Sequence, residues 1–184
     1  MIGITFGTLH TYDDLDLILS KSSVGVPKTK TDIVDIPGSD GSIDYTEFAG
    51  EPKYENRTLT FDLASIQPYL EQTAQEDAIR NALHGRYFEK IILDRDPNYF
   101  YSGRVEVGEW RDNKHVGTVQ IKVDAKPYKM KLASTVVTET VHASKVITLT
   151  NMRKSVTPKI TTNAGISLTW EGGTASISAG TDRI

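Results

Sequence analysis

The chain contains no cysteine, so neither disulfides nor thiolate metal sites can hold its fold together. That suits a reducing compartment, or an assembly stabilised by contacts between chains. An excess of positive charge is missing too. Lys and Arg total 21 against 24 Asp and Glu, for a formal charge of −3 and a pI of about 5.8. Such a balance gives no general pull toward nucleic acid or anionic lipid. No apolar run approaches the length of a membrane span. The opening MIGITFGTLHTYDD has neither the basic start nor the apolar core of a secretory signal. Synthesis and folding in a cytoplasm, with no membrane partner, are therefore expected. There is no GxSxG elbow, no Walker loop and no GxGxxG turn.

What is present is a β-rich pattern. The 184 residues suffice for one large domain or two small ones, and 38% hydrophobic with 24% charged residues is a soluble globular profile. RTLTFDL alternates Leu59, Phe61 and Leu63 with polar residues, and GTVQIKVDA does the same with Val119, Ile121 and Val123. A period of two buries one face and wets the other. GRVEVGEW follows suit with Val105 and Val107. RDNK (Arg111–Lys114) then predicts a tight turn, making Ser102–Ala125 a hairpin with Trp110 and His115 near its loop. One helix is predicted in TAQEDAIRNALHG. Thr73 and Glu76 form a capping box, Ala74, Ala78, Ile79, Ala82 and Leu83 form an apolar stripe, and Gly85 ends it in a left-handed turn. The tail adds strands in KVITLTN, GISLTW and ASIS, with EGGT as a turn.

Fourteen of the fifteen aromatics lie in residues 1–130 and only Trp170 beyond, whereas 11 of 21 threonines fall in residues 131–184. A domain boundary is expected near Lys126–Thr135, dividing the chain into 1–131 and 132–184. The alternative is a single sandwich with a Thr-rich end.

The stretch VDIPGSDGSIDYTE (Val34–Glu47) raises a metal question. Aligning Gly41 with the sixth position of a calcium loop puts Asp40 at the fifth and Glu47 at the twelfth. Ile36 and Gly38 then fall where the first and third ligands belong. Neither has a side-chain oxygen, and no helices flank the loop, so a metal site is excluded. A hairpin tip explains more: Pro37 fixes φ, Gly38 and Gly41 permit positive φ, and Asp35, Asp40 and Asp44 cap the turn. His10, His84, His115 and His142 show no metal-ligand spacing. Asp13, Asp14 and Asp16, like Asp94 and Asp96, sit in polar turns that favour ordinary carboxylates over the acid pair of a glycosidase. The Asn56–Thr58 sequon, lacking a secretory signal, reads as a strand entry. Lys28, Lys30, Arg86 and Lys90 are scattered among acids, which does not indicate a nucleic-acid surface. No enzyme, metal or cofactor is expected. A binding or assembly role is favoured.

KTKTDIVDIPGSDGSIDYTE followed by YENRTLTFDL resembles the N-terminal region of the distal tail proteins of siphophages, the baseplate hubs of phages and prophages of Gram-positive bacteria. GITFGTLHTYDDLDLIL is similar to that family's opening, LHGRYFEKIILDRDPNYFYSGRVEVGEW to its helix-to-strand passage, and VGTVQIKVDAKPYKMK to the end of its N-terminal domain. The segments span residues 1–131 in order.

The resemblance implies a mainly β chain. Its N-terminal domain would be β-sandwich-like and ring-forming, with one helix and a long hairpin; a smaller galectin-like β-sandwich would follow. It further implies a homohexameric ring at the tip of a long non-contractile tail. The ring would join the tail tube protein to a tail-associated hub or fibre protein, carry receptor-binding proteins in many phages, and let DNA pass. The closing AGTDRI departs from the family's last strand, rich in Thr, Val and Gly, so the outer sandwich is expected to be shortened or to lack final strands. No inserted carbohydrate-binding module is evident.

A ring needs subunit contacts, and a projecting hairpin exposes backbone edges for a neighbour to pair with. Lys28–Phe48 is therefore the expected interface, with Ile33, Ile36, Pro37, Gly38, Asp40, Gly41, Ile43 and Tyr45 as its candidate residues. The channel it surrounds is expected to lack net positive charge, because inward lysines would hold phosphates. A carbohydrate-binding module, with Trp170, Trp110 or the aromatics of NYFY stacking on sugar, is the alternative.

Overall fold

A computed structural model describes residues 2–48, 50–113, 116–142, 144–149 and 157–183. The chain divides into two compact units, Met1–Val136 and Val137–Ile184.

The first unit is built on one antiparallel sheet. Its strands are β1 (Ile4–Phe6), β2 (Leu9–His10), β3 (Leu17–Val24), β6 (Arg57–Ser65), β7 (Tyr87–Leu93), β8 (Tyr99–Asn113), β9 (Val116–Ala125) and β10 (Met130–Lys131). They lie in the order β2-β1-β7-β8-β9-β6-β3, with β10 added to β8. Between β3 and β6, two short strands, β4 (Ile33–Asp35) and β5 (Ser42–Asp44), pair only with each other.

The period-two patterns set the core. On β6, Leu59, Phe61 and Leu63 are buried, and Val119, Ile121 and Val123 of β9 stand in register beside them. Val105 and Val107 of β8 continue the same layer, and Ile4, Phe6, Ile91 and Leu17 join it from β1, β7 and β3. Phe6 packs edge-on against Phe61 and Phe88. Removing these side chains from water is the main drive to fold.

Gly103 shows how closely the strands approach. It is buried opposite Ala125, and an added Cβ would lie 2.4 Å from the Asp124 carbonyl oxygen and 2.7 Å from the Ala125 Cα. Both are backbone, so β8 and β9 would have to part. Gly103→Ala is expected to cost about 1–3 kcal/mol, read as a lower urea midpoint with an unchanged slope. An unchanged midpoint would contradict this packing.

Helix α1 (Gln72–Leu83) differs from its sequence reading at the start. No side-chain cap forms, and Thr73 is already helical, because the chain enters through a 3₁₀ turn, Tyr69–Glu71. Glutamines hold the first turn instead. Gln75 Nε2 donates to the Leu15 and Asp16 carbonyls at 2.8 and 3.2 Å, and Gln72 Nε2 donates to the Gln67 carbonyl at 3.1 Å. The buried face is Gln72, Ile79 and Leu83 with Ala82 beside them; Ala74 and Ala78 are exposed, contrary to the predicted stripe. The helix ends as its sequence suggested, with Gly85 at φ 72° and its N–H donating to the Val105 carbonyl.

Two further differences concern strands. Arg111–Asn113 belong to β8 rather than to a turn, since Arg111 pairs with Thr118 and Asn113 with Val116. Lys114 and His115 lie outside the described residues. In the second unit, Lys145–Leu149 carry no strand, and Thr150 and Asn151 lie outside the described residues. That unit contains β11 (Lys159–Thr162) paired with β14 (Gly180–Arg183), and β12 (Ile166–Trp170) paired with β13 (Gly173–Ile177). Among the described residues, no helix is long and apolar enough to cross a membrane.

Candidate assembly interface

The segment leaving β3 and returning at β6 forms an arm. Its root is fixed where the Gly25 N–H donates to the Thr58 carbonyl at 2.9 Å. The outgoing and returning legs then pair. Glu55 N–H donates to the Lys28 carbonyl and Lys30 N–H to the Lys53 carbonyl, both at 2.8 Å, around a bridge between Thr29 and Tyr54. Tyr54 packs edge-on against Tyr128, which ties the returning leg to the segment after β9.

Beyond the legs, Tyr45 N–H donates to the Asp32 carbonyl at 2.7 Å, and Asp32 N–H donates to Thr46 Oγ1 at 3.1 Å. Strands β4 and β5 continue outward with Ile33 opposite Asp44, Val34 opposite Ile43 and Asp35 opposite Ser42. Directly opposed residues share a face. One face of the ribbon therefore carries Val34 and Ile43, and the other carries Ile33 with Asp44, Asp35 and Ser42. The tip closes where Ser39 N–H donates to the Ile36 carbonyl at 3.1 Å. Pro37 and Gly38, the latter at φ 83°, occupy the central positions as a type II turn requires.

All eight sequence candidates, Ile33, Ile36, Pro37, Gly38, Asp40, Gly41, Ile43 and Tyr45, lie on this arm and are exposed. Two apolar members were not among them: Val34, which shares its face with Ile43, and Phe48, which is 87% exposed and packs edge-on against Tyr45. Beside these rings an open groove of about 400 Å³ runs between Lys30 and Lys53. Val34 and Phe48 both lie within the expected Lys28–Phe48 segment, where Val34 counts among the apolar residues of the hairpin, whereas nothing local distinguishes Phe48 from a core aromatic. A two-stranded ribbon is marginally stable by itself in water, and this one presents a row of apolar side chains to solvent.

Asp44 holds the root of the ribbon. Its Oδ1 accepts the Thr46 N–H at 2.8 Å, and hydrogen bonds from the Thr46 side chain and then its backbone keep the carboxyl below the ordinary aspartate range. A carboxyl lowered in the fold adds stability that is complete above the ordinary aspartate range. That stability is lost as pH falls through the lower folded value. An NMR titration should place Asp44 below a free aspartate, and Thr46→Ala should move it back up. No movement would remove the Thr46 hydroxyl as the cause.

The two Asp clusters of the sequence make local contacts within the body. Asp13 Oδ2 and Asp94 Oδ2 flank the His10 ring at 2.8 and 3.2 Å, and Asp94 also accepts the Gly3 N–H at 2.7 Å. Asp14 accepts the His10 N–H, Asp16 accepts from Gln67, and Asp96 pairs with Lys129. Among the described residues, no three His, Asp or Glu gather as a metal site. Of the candidate sugar platforms, Trp110 packs against the core and Tyr101 is buried, while Trp170 is half exposed.

No protein-family model matches the sequence, and no curated protein matches it. Among solved structures, the fold is similar to SPP1 Dit (gp 19.1), described as a paradigm of the hub adsorption apparatus in phages infecting Gram-positive bacteria. The match has a TM-score of 0.55 at 15% identity, and covers 91% of this chain and 58% of that one. This chain thus spans less than two thirds of its neighbour's length, and at such identity the two share a fold.

Proposed function

We propose that this chain is a structural protein of a phage virion: a distal tail, or baseplate hub, subunit at the tail tip, with no catalytic role. Six copies form a ring that joins the tail tube to the tail-associated hub or fibre protein and to receptor-binding proteins. DNA passes through the ring in transit. The observation that carries this reading is the likeness of fold to a hub adsorption protein over 91% of the chain. The arm supplies a means of assembly. An exposed, apolar, two-stranded edge is a hazard in a free monomer, whereas a head-to-tail interface that closes would cover every copy of it.

Electron microscopy of the purified protein tests this. Rings with a central channel are expected. Compact monomers that bind glycans would overturn it in favour of a carbohydrate-binding module, the reading that the half-exposed Trp170 favours.

A further inference from the structure

Resting on the ring reading, we infer that the arm of one copy seats on the outer face of β7 and β8 of the next copy. A head-to-tail ring needs two different, complementary surfaces on each chain. The arm is one. Residues 28–55 contain three Lys against seven Asp or Glu, a formal charge of −4, so the rest of the chain carries +1. Among the described residues Asp35, Asp40 and Glu47 make no ion pair. The arm's complement should therefore combine apolar surface with unpaired positive charge.

The outer face of β7 and β8 has both. The register of this pair shifts between Phe88 and Ile91, so that Glu89 and Lys90 together stand against Ser102 alone. Such a bulge re-aims side chains; here Phe88 packs toward the core while Glu89 and Lys90 are both exposed. Lys126 reaches the same place because its N–H donates to the Ser102 carbonyl at 2.8 Å. The result is a groove of about 270 Å³ lined by Tyr87, Phe100, Ser102, Lys90, Lys126 and one carboxylate, Glu89. Neither lysine is in an ion pair among the described residues. Tyr87 is 44% exposed, giving the arm's Ile36, Tyr45 and Phe48 an apolar partner.

The rival patch is less suited. Ile66, Tyr69 and Leu70 are also exposed beside the helix start, but Glu71 follows them directly and Asp112 accepts a hydrogen bond from Tyr69. An acidic arm would be repelled there, and like charges juxtaposed across an interface cost several kcal/mol.

A charge swap tests the pairing. One variant carries Lys90→Glu and Lys126→Glu; the other carries Asp35→Lys and Asp40→Lys. Circular dichroism first establishes that both fold. At low salt each variant alone should associate at least about tenfold more weakly than the unmodified chain, because positions 35 and 40 then carry the same sign as positions 90 and 126. An equal mixture should assemble again, since each arm now meets an opposite face, and high salt should blunt both effects. If each variant alone still forms rings, or if the mixture of folded variants does not assemble, the arm seats elsewhere and the ring reading stands. If the unmodified chain never assembles, both fall.

Discussion

Replacing Phe61 by Ala is expected to lower the stability of the first unit by about 3–5 kcal/mol. Phe61 is fully buried on β6, between Ser22 of β3 and Ile121 of β9, and meets Phe6 edge-on with ring centroids 6.4 Å apart. Phe6 in turn meets Phe88 of β7 at 5.7 Å. The ring therefore links strands from opposite ends of the sheet order, and no single strand can close the void by shifting. A domain is stable by only about 5–15 kcal/mol in total, so a large part of the margin is at stake. Urea unfolding would show the loss as a lower midpoint. A change under about 1 kcal/mol, the size of an ordinary surface substitution, would mean that Phe61 is not in the core.

The second large effect concerns assembly without loss of fold. Deleting Pro37–Gly41 removes the type II turn and Gly41, which lies at φ 81°. None of these residues belongs to the buried core, so the body should fold as before and keep its unfolding midpoint. The ribbon should not. Without the turn, Val34 and Ile43 lose their register and the apolar face they form is dispersed. A central interface element typically contributes about 2 kcal/mol or more, so association should weaken at least about thirtyfold. Sedimentation of the folded variant should find free subunits under conditions in which the full chain is expected to form hexamers. Intact rings would separate the arm from assembly.

Legibility followed the range of the forces. Leu59, Phe61 and Leu63, like Val119, Ile121 and Val123, announced buried faces through local alternation, and they are buried. Gly85 announced a left-handed stop and adopts one. The start of the helix was misread because Thr73 and Glu76 offered a local cap, while the structure holds that turn through Gln75 and the carbonyls of Leu15 and Asp16. Contacts about 60 residues apart leave no local pattern. The same holds for the arm. Pro37, Gly38 and Gly41 marked its tip, but the pairing of its legs at Thr29 and Tyr54 joins residues far apart in sequence. The bulge that exposes both Glu89 and Lys90 was also invisible, because register is decided between strands.

The most direct test of the arm as an assembly device is the mass of the purified particle, measured by sedimentation equilibrium over a range of protein concentrations. A hub subunit should reach six times the 20.4 kDa of one chain and lose that state when Pro37–Gly41 are deleted. A single-chain mass at every concentration would contradict assembly through the arm.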